Sequence, residues 1–194
     1  MHLHDRFAEF LSASEIIEAT PALLNDQRRR FVSSPDIVLQ PNSVESVQKI
    51  MRFCFENRIR VTPQGGNTGL CGATVTTEGV LLNLSKLNRI HDINLADNSM
   101  TVEAGVILQN AQKAAAEAGR LFPLSLASEG SCQIGGNIAC NAGGLNVLRY
   151  GSMRDLVLGL EVVLPNGELV SHLQPLHKNT TGYDLRHLFI GSEG

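Results

Sequence analysis

Apolar and polar positions along the 194-residue chain fall into short blocks whose spacing switches between helical and extended. Up to about Phe31 the apolar residues are scattered among polar ones, which predicts one or two helices interrupted near Pro21. Residues 36–39 form an apolar run closed by Pro41, the mark of a short buried strand. Val44, Val47, Ile50, Met51 and Cys54 then recur at helical spacing. Asn42 followed by Glu45 resembles a capping box, so a helix of about four turns is expected. Residues 59–62 read as the next strand and lead straight into a glycine-rich loop. Strand, helix and strand in this order make a β-α-β unit, with the loop at the carboxyl end of a strand, where open α/β sheets bind ligands.

Beyond the loop the pattern becomes antiparallel. Residues 80–84 read as a buried strand, and residues 90–103 as a hairpin turning at the polar Ala96-Asp97-Asn98-Ser99. Ile107, Ala111, Ala114, Ala115 and Ala118 make one face of a helix that Gly119 ends, and so narrow a face implies close packing. Two more apolar runs, residues 157–164 and 168–171, flank Pro165-Asn166-Gly167, and Asn-Gly between such runs is a strong hairpin signal. The expected fold class is α+β, with two α/β subdomains. The first, about 35–87, carries a small parallel sheet; the second, about 88–194, a largely antiparallel one; a helical segment, 1–34, precedes both.

Composition removes several function classes. Hydrophobic residues make up 43% of the chain, enough to bury a core. Sixteen Lys and Arg against nineteen Asp and Glu leave a net charge of −3, without the basic block of a nucleic-acid partner. The Arg28-Arg29-Arg30 run is short and reads as a solvated helix face. No apolar stretch approaches a transmembrane segment, and the start, MHLHDRFAEF, lacks the apolar core of a signal peptide, so a cytoplasmic setting is expected. Cys54, Cys71, Cys132 and Cys140 form no CxxC pair and read as reduced thiols. His2, His4, His172, His177 and His187 match no zinc-site spacing, and no protein-bound metal is expected.

The candidate chemistry lies in two uncharged segments. Residues 63–75, PQGGNTGLCGATV, have glycine at positions 65, 66, 69 and 72. Taken alone, such a segment is either a plain loop or a wrapping for a phosphate, since glycine permits both. Residues 128–151 read SEGSCQIGGNIACNAGGLNVLRYG, with five glycines and three asparagines but no charge between Gly130 and Leu148. A solvated loop would carry Lys, Glu or Asp, and a core helix would avoid Gly-Gly twice. Gly135-Gly136-Asn137 reads instead as a tight turn feeding a short helix whose amino end faces an anion. Together the segments imply binding by backbone amides and small side chains, as a buried nucleotide diphosphate requires. Neither segment is GxGxxG with a downstream acidic residue, and neither ends in the Gly-Lys-Ser/Thr of a P-loop.

In five ordered motifs the sequence resembles the FAD-binding, PCMH-type domain of the vanillyl-alcohol-oxidase superfamily. The motifs are PDIVLQPNSVESV, PQGGNTGLCGA, EGSCQIGGNIACNAGG with RYG behind it, VLPNG, and NTTGYDLRHLFIGSEG, and they run from about Pro35 to the last residue. Within the superfamily the resemblance is to the D-2-hydroxyacid dehydrogenase branch, which includes D-lactate dehydrogenase and the glycolate oxidase flavoprotein. It implies FAD extended between the two subdomains. Gly65, Gly66, Asn67, Thr68, Gly69 and Leu70, bordered by Pro63 and Gly72, match the pyrophosphate loop. Ser128, Ser131, Ile134, Gly135, Asn137, Asn141, Gly143, Gly144, Tyr150 and Gly151 match the second loop, along phosphates, ribityl chain and flavin. For Asn67 and Asn141 a purely turn-stabilising role stays open.

Departures from the family pattern also carry expectations. Members that attach FAD through the first loop have histidine where this chain has Asn67, and Cys132 stands one residue from the position of a cysteinyl bond. Noncovalent FAD is therefore expected, with Cys132 a packing residue. Family members continue past GSEG into a strand and a cap domain that binds the substrate. The chain is thus expected to be an amino-terminal fragment, inactive alone, whose missing part offers a route to a peripheral position on the inner membrane. For the parent protein the resemblance implies oxidation of a small D-2-hydroxy acid, such as D-lactate, glycolate or D-2-hydroxyglutarate, to the 2-oxo acid, with electrons passed to an unidentified acceptor. No catalytic residue is nominated among His172, His177 and His187. Two alternatives remain: the same fold with alcohol oxidase or UDP-N-acetylenolpyruvoylglucosamine reductase chemistry, or a nonenzymatic nucleotide-binding module. The GYDLRHLFIGSEG run favours the hydroxyacid branch.

Overall fold

The N-terminal segment folds as a helix, α1 (Leu3–Ala8), a 3-10 turn (Ala13–Glu15), a strand, β1 (Ile16–Ile17), and a second helix, α2 (Pro21–Leu24). The computed structural model describes residues 2–194. Pro21 begins α2 rather than interrupting a helix, because a first-turn position needs no N–H from it. β1 was not expected: two residues carry no periodicity, and only pairing with a neighbour defines them.

Next come β2 (Ile37–Leu39), α3 (Val44–Asn57), β3 (Val61–Gln64) and β4 (Val80–Asn83). The sheet order is β1-β2-β4-β3, with β4 parallel to both β2 and β3 and β1 antiparallel at the edge. All four residues of β4 are buried, and three of them, Val80, Leu81 and Leu82, are apolar, as a central parallel strand requires. The cap of α3 is Ser43, whose hydroxyl accepts the Ser46 N–H at 3.1 Å, and not the Asn42 and Glu45 pair. Val47, Ile50 and Cys54 face the core, and burial pushes the Cys54 thiol up to about 12. Arg58, left-handed at φ 54°, ends the helix, and the strand expected at residues 59–62 starts later, at Val61. Pro63 sits in an edge strand, where its missing N–H is tolerated.

Glu15 ties the N-terminal segment to this sheet. It is buried, and its carboxylate accepts from the Ser12 N–H and hydroxyl and from the Asn42 N–H. Burial opposes its charge, yet the Ser46 and Ser12 hydroxyls and the two backbone donors outweigh that and bring the carboxyl to about 2. Phe7, buried against Phe53 at 4.9 Å between ring centres, packs on the same core as Leu39, Ile50 and Val80.

The remaining elements are β5 (Ile90–Asn94), β6 (Ser99–Val102), α4 (Leu108–Glu117), α5 (Ile134–Ala139), α6 (Val147–Tyr150), α7 (Met153–Leu156), β7 (Leu160–Val163), β8 (Leu169–His172) and α8 (Arg186–Phe189). β5 and β6 pair antiparallel around Asn98, at φ 53°. α4 buries Leu108, Ala111 and Ala115, and Gly119 ends it at φ 69°. β7 and β8 form a two-stranded sheet turned by Gly167 at φ 82°.

The chain divides into two compact units. The first is the chain up to Leu87 with Val162–Val170, the outer part of the β7–β8 hairpin; the second is Asn88–Glu161 with Ser171–Gly194. A second core, built from Val106, Leu108, Leu124, Cys132, Ile134 and Met153, lies within the latter.

Candidate functional site

At the carboxyl ends of the parallel strands a chain of amides replaces the apolar pattern. Gln40 donates to Asn83 Oδ1 at 3.1 Å, Asn83 donates to Gln64 Oε1 at 3.2 Å, and Gln64 donates to the Leu23 carbonyl at 2.9 Å. Gln64 and Asn83 are buried, so each bond stands in for water that cannot reach them. Asn83 also reaches the Gly65 carbonyl at 3.4 Å. The network fixes where the first glycine-rich segment leaves the sheet. Sequence reasoning passed over Gln40, Gln64 and Asn83, although an amide at or just past the end of each apolar strand was the signal.

The segment is then held from the side by Asn67. Both hydrogens of its amide are spent, on the Ala22 carbonyl at 3.1 Å and the Asn25 carbonyl at 2.7 Å, and its oxygen accepts from Thr74 Oγ1 at 2.8 Å. Asn67 is left-handed, at φ 52°, while Gly65, Gly66 and Gly69 are not; Gly72, at φ 79°, is the left-handed glycine of the group and packs under the Phe31 ring. Among the described residues, no protein acceptor takes the backbone N–H of Gly65, Gly66, Asn67, Thr68, Gly69 or Leu70. A Cβ at Gly69 would meet nothing within 4 Å. Pro63, Gly69 and Leu70 are exposed; Gly65, Gly66, Asn67 and Thr68 are half-buried.

The second segment is organised differently. Its first Gly-Gly pair lies inside α5, which begins at Ile134, so the helix starts at these glycines rather than after them. Its amino end is not a free cluster of donors. Ile134 N–H goes to the Val106 carbonyl at 2.9 Å and Gly135 N–H to the Ala104 carbonyl at 2.7 Å. A Cβ on Gly135 would stand 2.7 Å from the Ala104 Cβ, which explains the glycine by close packing. Gly144, at φ 82°, bridges to Ser125, and a Cβ there would strike the Ser125 carbonyl. Gly151, at φ 81°, faces the Asp155 carboxylate that caps α7 through Ser152. Gly136 has open space, and Gly143 lies against Val147.

Of the other predicted residues here, Ser128 closes a turn, its carbonyl accepting from the N–H of Ser131 and Cys132 at 2.8 Å each. Ser131 is exposed. Tyr150 is partly exposed and carries the Arg149 guanidinium over its ring at 5.3 Å. Asn137 Nδ2 and Gln133 Oε1 are buried with no hydrogen-bond partner among the described residues. Asn141, at φ 48°, accepts the Arg154 N–H at 2.9 Å. The Arg154 guanidinium donates to the Ile190 carbonyl and lies 2.9 Å from His187 Nδ1, so residues 190–193 run beside α5, where the Gly191 N–H reaches the Ile138 carbonyl at 3.1 Å. Arg186 fastens the same terminal run to the Val157 carbonyl at 2.6 Å, and its guanidinium holds the Asp184 carboxyl at about 2. Sequence reasoning did not single out Arg154 or Arg186.

The model of a protein family described as an FAD binding domain matches residues 35–172. A D-2-hydroxyglutarate–pyruvate transhydrogenase of Saccharomyces cerevisiae is 42% identical over 97% of this chain and 39% of its own length. A D-2-hydroxyglutarate dehydrogenase of Xanthomonas citri is 47% identical over 87% of this chain and 36% of its own. The chain therefore spans little more than a third of these relatives. Among solved structures, an alkyldihydroxyacetonephosphate synthase superposes with a TM-score of 0.83 at 17% identity, covering 98% of this chain and 36% of the other. A 6-hydroxy-D-nicotine oxidase from Arthrobacter nicotinovorans superposes with a TM-score of 0.71 at 24% identity, covering 80% and 35%. These likenesses show the fold. The residues also fit a dinucleotide: unspent amides along an uncharged loop suit a diphosphate, and a Cβ-free surface at Gly69 allows it to approach.

Proposed function

The chain belongs to the FAD-binding-domain family, and on that premise we propose that its first glycine-rich segment holds the FAD diphosphate in an enzyme that oxidises a D-2-hydroxy acid to the 2-oxo acid. The run of unspent N–H groups from Gly65 to Leu70 carries this reading. Hydrogen bonds from such donors to phosphate oxygens are charge-assisted and need no charged side chain. Asn67 contributes by holding the loop in place, its side chain spent on Ala22, Asn25 and Thr74, and a loop already ordered loses less entropy on binding.

Pro63 and Gly72 border that site. In the second segment Gly136, with its open surface, and Ser131, Asn137, Asn141 and Tyr150 line the rest of the cofactor, while Ser128, Ile134, Gly135, Gly143, Gly144 and Gly151 shape the backbone that carries them. Bound FAD supplies the redox chemistry, accepting the two electrons released as the alcohol carbon becomes a carbonyl. Attachment is noncovalent: Asn67 offers no nucleophile, and the Cys132 thiol is buried in a hydrophobic core. The hydroxy-acid class rests on relatives named D-2-hydroxyglutarate and D-lactate dehydrogenases. Among the described residues, no helix is long and apolar enough to cross a membrane.

Titration of the chain with FAD and with riboflavin, followed by flavin fluorescence, tests the diphosphate assignment. FAD is expected to bind at least about a hundredfold more tightly, since riboflavin lacks the phosphates that the amides serve. Equal affinity overturns the assignment. Dye reduction by a chain of the relatives' full length, with D-2-hydroxyglutarate, D-lactate and glycolate in turn, tests the activity; reduction with none of them defeats the substrate reading while leaving the cofactor reading standing.

A further inference from the structure

The arginine run at residues 28–30 belongs to neither core nor to either glycine-rich segment. It is not on a helix, as its sequence alone implied, but at the tip of a turn. Asn25 and Val32 form an isolated antiparallel bridge, and Asp26 closes the chain between them. The Asp26 carboxylate accepts the N–H of Arg30 at 2.6 Å, of Phe31 at 2.8 Å and of Arg28 at 3.2 Å. Those donors, Phe31 first, hold its carboxyl below the usual range in spite of burial, helped by the Arg30 charge. Arg29 is left-handed, at φ 54°. The outcome is a backbone-locked tip whose one carboxylate is turned inward.

Three guanidinium groups are left on the outside. Arg28, Arg29 and Arg30 are exposed, and among the described residues none of their guanidinium groups has a hydrogen bond or ion pair. Phe31 and Val32, directly after them, are 53% and 63% exposed. A net charge of −3 over the whole chain makes this a local reversal of sign. It is also a local break in the rule that exposed apolar side chains stand apart from one another.

We propose that this tip is a docking element for an anionic lipid surface, with the arginines meeting headgroup phosphates and Phe31 and Val32 entering the boundary beneath them. A rigid acidic protein would have to place carboxylates around the tip to pair all three, whereas lipid phosphates diffuse laterally to meet each guanidinium. Arginine next to an aromatic and an aliphatic side chain is also the composition that partitions into the interfacial layer. The proposal does not rest on the cofactor reading, although the tip adjoins that loop: the Asn25 carbonyl accepts from Asn67, and Phe31 lies over Gly72.

Each arginine close to an anionic leaflet strengthens partition by about fivefold, so three give about a hundredfold, within reach of screening by salt. Sedimentation of the chain with phosphatidylcholine vesicles containing about one-third phosphatidylglycerol, against vesicles of phosphatidylcholine alone, measures it. Binding only to the anionic vesicles, weakened by roughly 0.5 M salt and reduced about a hundredfold in Arg28→Gln/Arg29→Gln/Arg30→Gln with an unchanged melting temperature, is the expected result. Val32→Ser is expected to weaken it by a further severalfold. No binding to anionic vesicles, equal binding to neutral ones, or full binding by the triple variant overturns the proposal. Capture on immobilised polyglutamate without vesicle binding overturns it in favour of an acidic protein.

Discussion

In the segment at residues 63–75 the glycines leave a run of backbone N–H groups without acceptors among the described residues, whereas at residues 128–151 several glycines stand where two stretches of backbone nearly touch. Gly69 has nothing within 4 Å of an added Cβ; Gly135 and Gly144 have Ala104 and Ser125 in that place. Both segments are rich in glycine and nearly free of charge, with Glu129 and Arg149 only near the ends of the second, and in composition they look alike. Their glycines nevertheless differ: those of the first leave backbone donors open, as the proposed diphosphate site requires, and several of the second admit close approach of the protein's own backbone. A glycine count therefore locates such a site without saying which of its atoms the ligand meets.

The comparison breaks most visibly at Gly144. Valine there needs a left-handed backbone and drives its Cβ into the Ser125 carbonyl, so the strain and overpacking terms add to about 3–5 kcal/mol. Urea unfolding of Gly144→Val is expected to show a large fall in midpoint or no folded baseline. A loss below about 1 kcal/mol would mean that the second segment yields as readily as the first.

Acid tests the footing of the first segment. Glu15 holds the N-terminal segment, whose Leu23, Ala22 and Asn25 carbonyls in turn hold Gln64 and Asn67. Its carboxyl lies at about 2 against an ordinary 4.5. A lowered folded-state value makes the contribution complete above the unfolded value, about 4.5, and progressively lost as the pH falls toward 2, to a total of about 3 kcal/mol. Stability measured against pH is expected to fall through that window in the wild type and to be flatter in Glu15→Gln, which starts from a lower plateau.

Asn67→Ala removes the side clamp alone. The two donated bonds and one accepted bond of this half-buried side chain are lost, which costs about 2 kcal/mol, and the left-handed backbone becomes less favourable. Asn67→Gly relieves the backbone but not the clamp. If the clamp preorganises the loop, FAD affinity falls in both variants; if only the turn conformation counts, titration will show glycine restoring it.

Much of the fold was legible because its signals are local. The parallel strands at β2 and β4, the alanine face of α4 and the Asn166-Gly167 hairpin all follow from periodicity and turn chemistry within a dozen residues. What escaped needed partners distant in sequence. β1 exists only as the neighbour of β2, and the Asn42 and Glu45 cap lost to Ser43 because both patterns fit and only the hydrogen bond chooses. The candidate loops were found by composition, yet their supports were not. Gln64 is bonded to Leu23, Asn67 to Asn25 and Asn141 to Arg154, and nothing in the spacing of those residues announces the pairing.

The smallest effects on stability fall on Gly69 and Gly136, which have open surroundings, and they decide how far the comparison extends. Gly69 is not left-handed and meets nothing, so Gly69→Val should leave the unfolding free energy within about 0.5 kcal/mol. A branched side chain on the surface the phosphates approach should nonetheless lower FAD affinity by about tenfold or more. Gly136 is the member of the second segment with the same freedom, but it lies within α5, where alanine is the better helix former. Gly136→Ala is therefore expected to stabilise the chain by about 0.5–1 kcal/mol, opposite in sign to the other substitutions. FAD titration of this more stable variant carries the test. Weaker binding puts the α5 surface at the cofactor and makes Gly136 a counterpart of Gly69; unchanged binding confines the glycines of the second segment to a packing role and leaves ligand approach to the first.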